Sequence, residues 1–296
     1  MKIFLTGASG YIGGSVAAAL RDAGHPIVGL YRSAEKAQQA RSLGVEATRG
    51  TLEDGALLAR LAGEADAVIH AADADHRAAV EAMLAALAGS GKPFIHTSGS
   101  SIVGDQAWGE PTDKAYDDET PFTPGPGRAA RAAVNTLVLV AARDGIRTAV
   151  ISPSLIYGTG RGAHRESIQV PRLVALARKS GVARHVGRGE NLWANVHIDD
   201  LVNLYVRVLA NAPAGASYYA ENGECSMRRL CAAISRALGW DGRTQGMSKD
   251  EAIAEFGEGP AAYTYGSNSR VRATRARREL GWSPHHDSLL EMIEGG

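Results

Sequence analysis

Gly7, Gly10 and Gly13 stand three residues apart, directly after the apolar run 3–5 and directly before an alanine-rich stretch with Ile12, Val16, Ala19 and Leu20 at helical intervals. That order of strand, glycines and helix is what a phosphate-binding turn requires. The first glycine permits the tight turn, the second lets backbone approach a pyrophosphate, and the third lets helix and strand pack closely. The helix start adds free N–H groups and the positive end of its dipole. The pattern predicts a dinucleotide site.

A second group of residues bears on which dinucleotide. The strand 26–31 runs into Tyr31-Arg32-Ser33, where a carboxylate would receive ribose hydroxyls and select NAD. An arginine there suits the 2′-phosphate of NADP, so NADP is the expected cofactor and NAD the less favoured one. The alternative is a surface arginine opening the helix 34–43. Further on, Ser98, Ser100 and Ser101 follow the strand 93–97, at the carboxyl edge where open α/β sheets bind ligands. Their hydroxyls can bond a substrate carbonyl or hydroxyl, although turns and caps use the same residues.

The elements that must position these groups alternate along the chain. A third strand is expected at 45–48, with the loop 50–54 capping the next helix, and a fourth at 65–72 ending in Ala71-Ala72. Small residues there let a cofactor lie close above the sheet. Helices are expected at 78–88 and 129–142, and a sixth strand at 148–152. His70 reads as a packing residue at a strand end, and no His or Cys stands at metal spacing from it. The segment 158–165, with alternating glycines and Arg161, His164 and Arg165, reads as a mobile substrate loop. Asp199 and Asp200 read as caps of the helix carrying Leu201, Leu204 and Val208.

Composition narrows the classes. The chain has 296 residues and zero net charge, so no overall field favours nucleic acid or an anionic membrane. The basic run 270–278 lacks interleaved aromatics and is expected on a surface helix rather than against nucleic acid. No apolar run reaches the roughly 18 residues of a membrane helix. The only cysteines, Cys225 and Cys231, are too few for a disulfide framework, which together with the lack of a signal peptide points to a cytoplasmic setting.

Taken together, the motifs resemble the extended or atypical branch of the short-chain dehydrogenase/reductase superfamily, the epimerase/dehydratase-like group. The matching stretches are 6–13, 66–72, Thr97-Ser98 before Val103-Gly104-Asp105, Pro153 to Gly158 with Tyr157, Trp193 to Leu201, and Arg278-Glu-Leu-Gly-Trp-Ser-Pro284. The resemblance implies an α/β fold, a doubly wound parallel Rossmann sheet with a smaller C-terminal substrate-binding domain. Its expected bounds are 1–155 for the Rossmann domain, with 191–211 returning to it, and 156–190 with 212–296 for the smaller one. Cofactor contacts are expected from Gly7, Ser9, Gly10, Tyr11, Ile12, Gly13, Tyr31, Arg32, Ser33, Thr51, Leu52, Ala71, Ala72, Arg131 and Pro153. A homodimer through the helix 129–142 is a further implication.

One family feature is missing. The family uses Tyr-x-x-x-Lys, in which lysine lowers the pKa of a phenol that is otherwise near 10. Matching Asn135-Thr-Leu-Val138 to the family pattern puts Gly127 at the tyrosine position and Arg131 at the lysine position. A slip of one residue gives Arg128 and Ala132, and neither register supplies a tyrosine. No lysine here has a tyrosine four residues before it. Gly99, flanked by Ser98 and Ser100, falls at the usual Ser/Thr position. The candidate reacting groups are therefore Ser98, Ser100, Arg131 and Tyr157. The leading expectation is an oxidoreductase acting on a small carbonyl, alcohol or imine-type substrate with non-standard proton transfer. The alternatives are a sugar-type epimerase/dehydratase and a non-catalytic NADP(H)-binding redox sensor.

Overall fold

Every residue of β1 (Ile3–Thr6) is buried, because the strand lies inside a seven-stranded parallel sheet and is covered on both faces. The computed structural model describes residues 1–286 and 288–295. Asp287 and Gly296, which the expected C-terminal domain includes, lie outside the described residues. The other strands of the sheet are β2 (Ile27–Tyr31), β3 (Glu46–Arg49), β4 (Ala67–His70), β5 (Pro93–Thr97), β7 (Arg147–Pro153) and β11 (Ala216–Ala220), with the two-residue β6 (Tyr116–Asp117) lying elsewhere. Their order is β11-β7-β5-β4-β1-β2-β3. The chain moves outward one way from β1 through β2 to β3, then returns to β4 and moves the other way. At that reversal the loops after β1 and β4 part, opening a crevice at the carboxyl edge.

The period-2 alternation of the strands sorts the two faces. Ile3, Leu5, Ile69 and Ile151 pack under α1 (Tyr11–Asp22), α2 (Ala34–Ser42) and α7 (Ile198–Asn211). Phe4, Val28, Val68 and Phe94 pack under α3 (Gly55–Glu64), α4 (Arg77–Leu87) and α5 (Ala129–Val140). A separate apolar cluster joins β8 (Leu155–Tyr157), α6 (Gln169–Ser180), β9 (Ala183–Val186), β10 (Leu192–His197), α8 (Met227–Ala237) and α9 (Lys249–Phe256). Within it Cys225 and Cys231 are buried, and burial pushes their thiols up to about 11 and about 12, so both stay protonated.

Two placements differ from the sequence reading. Residues 216–220, inside the bounds expected for the C-terminal domain, form β11, the edge of the main sheet, paired in parallel with β7. Ala216, Tyr218 and Ala220 face inward into the α7 layer, and so short an alternation does not reveal which sheet it will join. Within 191–211, α7 packs on the main sheet, whereas β10 pairs with β8 and β12 (Glu224–Ser226) instead. The basic run near the C-terminus is neutralised internally: Arg270 and Arg272 pair with Glu224, Arg277 with Glu221, and Arg278 with Glu119.

The register of β4 on β5 sets His70 beside His96, both wholly buried, with their rings stacked at 5.5 Å. Burial pushes His70 down to about 4 and His96 down to about 3, so both are neutral at pH 7. An unfolded histidine takes up a proton below about pH 6.5, which these cannot do until much lower pH, so stability is full above 6.5 and declines as the pH falls. Asp118, pushed up to about 6 by burial, acts with the opposite sign over the same range. The difference between His96→Phe and the parent therefore isolates the histidine. Thermal scans from pH 7 to 4.5 should show a melting temperature that falls less in His96→Phe than in the parent, by about 5 °C at the acid end.

Candidate functional site

The turn after β1 is built from close backbone contact. Gly7 has φ +77°, and a Cβ there would lie 2.5 Å from the Ala71 carbonyl oxygen at the exit of β4. A Cβ on Gly13 would lie 2.4 Å from the Gly7 carbonyl oxygen, so α1 can start this near the turn only with glycine facing it. Gly10 caps α1 without any side-chain hydrogen bond, which leaves first-turn N–H groups for a ligand. A cavity of about 560 Å³ opens from this turn. Gly7, Ser9 and Gly10 line one end, Tyr31, Arg32 and Ser33 the other, with Thr51, Leu52, Ala71 and Ala72 between. A concave site with bare helix N–H groups at one end and cations at the other fits a dinucleotide.

Some expected contacts are not brought to that cavity. Tyr11 is buried and its hydroxyl donates to the Gly158 carbonyl at 2.7 Å, while Ile12 packs against the core. Gly13 acts through its contact with Gly7, and neither Arg131 nor Pro153 lines the cavity wall. Conversely, Lys36 lines it beside Arg32, a turn along α2, whose cap is Ser33 accepting from the Lys36 N–H at 3.3 Å. Its signal was present in the sequence, since Lys36 lies four residues after Arg32. The one carboxylate of the 46–55 stretch on the wall, Glu53, faces His76 at 3.7 Å.

Beyond β4 and β5 the candidate reacting groups fall into separate environments. Ser98 accepts from Asn135 Nδ2 at 2.9 Å, so α5 holds its hydroxyl. Ser100 turns inward, buried, and bonds Ser269 at 2.7 Å, which removes it from the open edge. Arg131 forms a two-pronged pair with Asp75 at 2.9 and 2.6 Å, and this guanidinium holds the Asp75 carboxyl below the usual carboxylate range. Arg131 also reaches Gly99, where a Cβ would lie 3.6 Å from its Nη1. Asp75 and Asn135 were not singled out in the sequence, because their partners lie 56 and 37 residues away.

Tyr157 stands apart from this group. It is buried, its hydroxyl donates to the His286 carbonyl at 3.0 Å, and its ring meets His197 edge-on at 5.2 Å. The loop 158–165 is tied down rather than free. Arg161 N–H donates to Ser15 at 3.0 Å, its guanidinium pairs with Asp22, and a Cβ on Gly162 would lie 2.6 Å from Gly14 Cα. The cap of α7 is His197, which accepts from the Asp199 N–H, while the Asp200 carboxylate holds the C-terminal tail by accepting from His285 N–H and His286 N–H at 2.9 Å each. His197, Asp199 and His286 lie together, but the two rings stack in parallel at 3.8 Å with each Nδ1 already engaged.

The sheet order, the glycine turn and the cavity at the switch point define a Rossmann-type protein with a dinucleotide cradle and a second, smaller cluster. The chain belongs to the NAD dependent epimerase/dehydratase family, whose model matches residues 3–220. It is 34% identical to an oxidase from an Acremonium species, over 99% of this chain and 95% of the relative. It is 30% identical to a 2-alkyl-3-oxoalkanoate reductase of Stenotrophomonas maltophilia, over 81% of this chain and 76% of that one. Among solved structures, a dTDP-glucose 4,6-dehydratase from Streptomyces venezuelae with NAD bound superposes with a TM-score of 0.78 at 20% identity, covering 100% of this chain and 95% of the other. Among the described residues no helix is long and apolar enough to cross a membrane.

Replacing Gly7 by alanine tests the turn. The strained φ and the contact with Ala71 should lower the melting temperature by about 5 °C or more and weaken dinucleotide binding. Unchanged melting and unchanged binding would contradict the geometry described for this turn.

Proposed function

We propose that this chain is an NADP(H)-dependent oxidoreductase acting on a small carbonyl or imine compound, or on the corresponding alcohol or amine. The observation that carries the cofactor choice is the wall at the end of β2, where Arg32, Ser33 and Lys36 face the cavity and β2 ends without a carboxylate. Two cations and a hydroxyl suit a phosphate monoester, and the carboxylates on the same wall, Glu53 and Asp73, follow β3 and β4 rather than β2. The nicotinamide, when bound, supplies or takes up a hydride.

The rest falls to this chain's own side chains and backbone. Gly7, Ser9 and Gly10 hold the pyrophosphate at the start of α1, and Ala71 and Ala72 let the cofactor pass close over β4. Ser98, steadied by Asn135, presents a hydroxyl at the carboxyl edge of β5. Arg131, held by Asp75, keeps a positive charge there. The oxidase and reductase names of two relatives support redox chemistry as the use of this site.

Fluorescence titrations with NADPH and NADH test the cofactor choice. Arg32→Asp should weaken NADPH binding by about tenfold or more while changing NADH binding little, as expected for loss of a charge-assisted contact. Equal losses for the two nucleotides would remove Arg32 from the 2′-phosphate.

A further inference from the structure

We infer that Tyr263 donates and accepts the substrate proton in this site, taking over from the helix tyrosine that the chain lacks; the inference rests on the oxidoreductase reading above. In one of the two registers that match the family pattern, Gly127 takes the tyrosine position, one turn before Arg131. The space a side chain would enter from Gly127 is already filled: a Cβ there would lie 2.5 Å from Tyr263 Cε2, 2.9 Å from its Cζ and 3.1 Å from its hydroxyl oxygen. A phenol therefore stands where the helix has no side chain, delivered from 136 residues further along the chain. Glycine at 127 and the tyrosine ring are complementary, and no larger residue could share the place.

The hydroxyl is held at the start of α5. Its oxygen accepts from the Gly127 N–H at 3.0 Å, and among the described residues its own hydrogen has no acceptor. The ring is held by the turn of π-helix Ala261–Tyr265, in which Ala261, Ala262, Tyr263 and Tyr265 are buried and Tyr265 stacks on Phe256 at 3.9 Å. Such wide turns are rare and recur at functional sites. The Arg128 guanidinium lies 4.7 Å over the Tyr263 ring. Arg131 lies one turn on, against Gly99. One cation therefore lies over the ring, and a second stands one turn along the chain, paired with Asp75.

The step balances without another reagent. In the reductive direction the carbonyl carbon gains a hydride from the reduced nicotinamide, and the C–O π pair moves onto oxygen. That oxygen takes the Tyr263 proton, the phenolic O–H bond breaks, and the phenolate regains a proton from water. Oxidation of an alcohol runs the same path backward.

Tyr263→Phe separates proton transfer from packing, because it keeps the ring that fills the space beside Gly127. NADPH oxidation is followed with a panel of simple aldehydes, ketones and 3-oxo esters, ethyl 2-methylacetoacetate among them. With the substrate that the parent turns over, Tyr263→Phe should lose about 100-fold or more in kcat with KM and NADPH affinity nearly unchanged. Gly127→Ala, which has no group to lose but must displace the ring, should also lower kcat. A second readout does not depend on turnover. In protein labelled with 13C at tyrosine Cζ, the one resonance absent from Tyr263→Phe should shift when the alcohol product is added to the NADP+ complex. Turnover by Tyr263→Phe within about threefold of the parent, or a resonance that stays still, would overturn the assignment. A parent that binds NADPH yet oxidises it with none of the panel would instead overturn the oxidoreductase reading, and the assignment with it.

Discussion

The contact on which the structure depends is that of the Gly7 peptide with its neighbours on two sides. The exit of β4 presses on it at Ala71 and the first turn of α1 at Gly13, both closer than any Cβ allows. That closeness joins the sheet, the helix and the crevice at one point. Were the turn wider, α1 would stand off the sheet, its N–H groups would point elsewhere, and the switch point between β1 and β4 would lose its wall. The uninterrupted apolar runs of β1 and β4 supply the stiff floor, since a parallel strand buried on both faces has little freedom to shift.

The same logic of backbone approach recurs at two later glycines. At Gly127 the missing side chain makes room for Tyr263, and at Gly162 it lets the loop after β8 lie on α1. Charge is handled locally as well. Arg131 is oriented by Asp75, and the arginines near the C-terminus are met by Glu119, Glu221 and Glu224. Zero net charge thus coexists with a small cationic pocket at Arg32 and Lys36.

Much of this was legible in the chain. The strand, glycine and helix order at 3–20 is local, so its geometry can be read from spacing alone, and the strand 93–97 was found to the residue. Partners distant in sequence were not legible. Nothing near Arg131 announces Asp75, and nothing near Gly127 announces Tyr263, because both contacts exist only once α5 packs beside α4 and β7 and the later chain folds back. The acids at 199–200 illustrate a different difficulty. Local rules offer them as helix caps, but His197 takes that role and frees Asp200 to anchor the tail. Gly158 to Arg165 looked mobile because glycines alternate there, yet here they serve close packing on α1.

The central claim is that the cradle at Gly7 to Gly13 takes up a dinucleotide, and its most direct measurement is titration of the unmodified protein with NADPH. Binding in the micromolar range, seen as enhanced and blue-shifted nicotinamide emission and reversed by excess NADP+, is the predicted result. Absence of binding by both NADPH and NADH at millimolar concentration, in protein shown to be folded, would contradict the account at its first step.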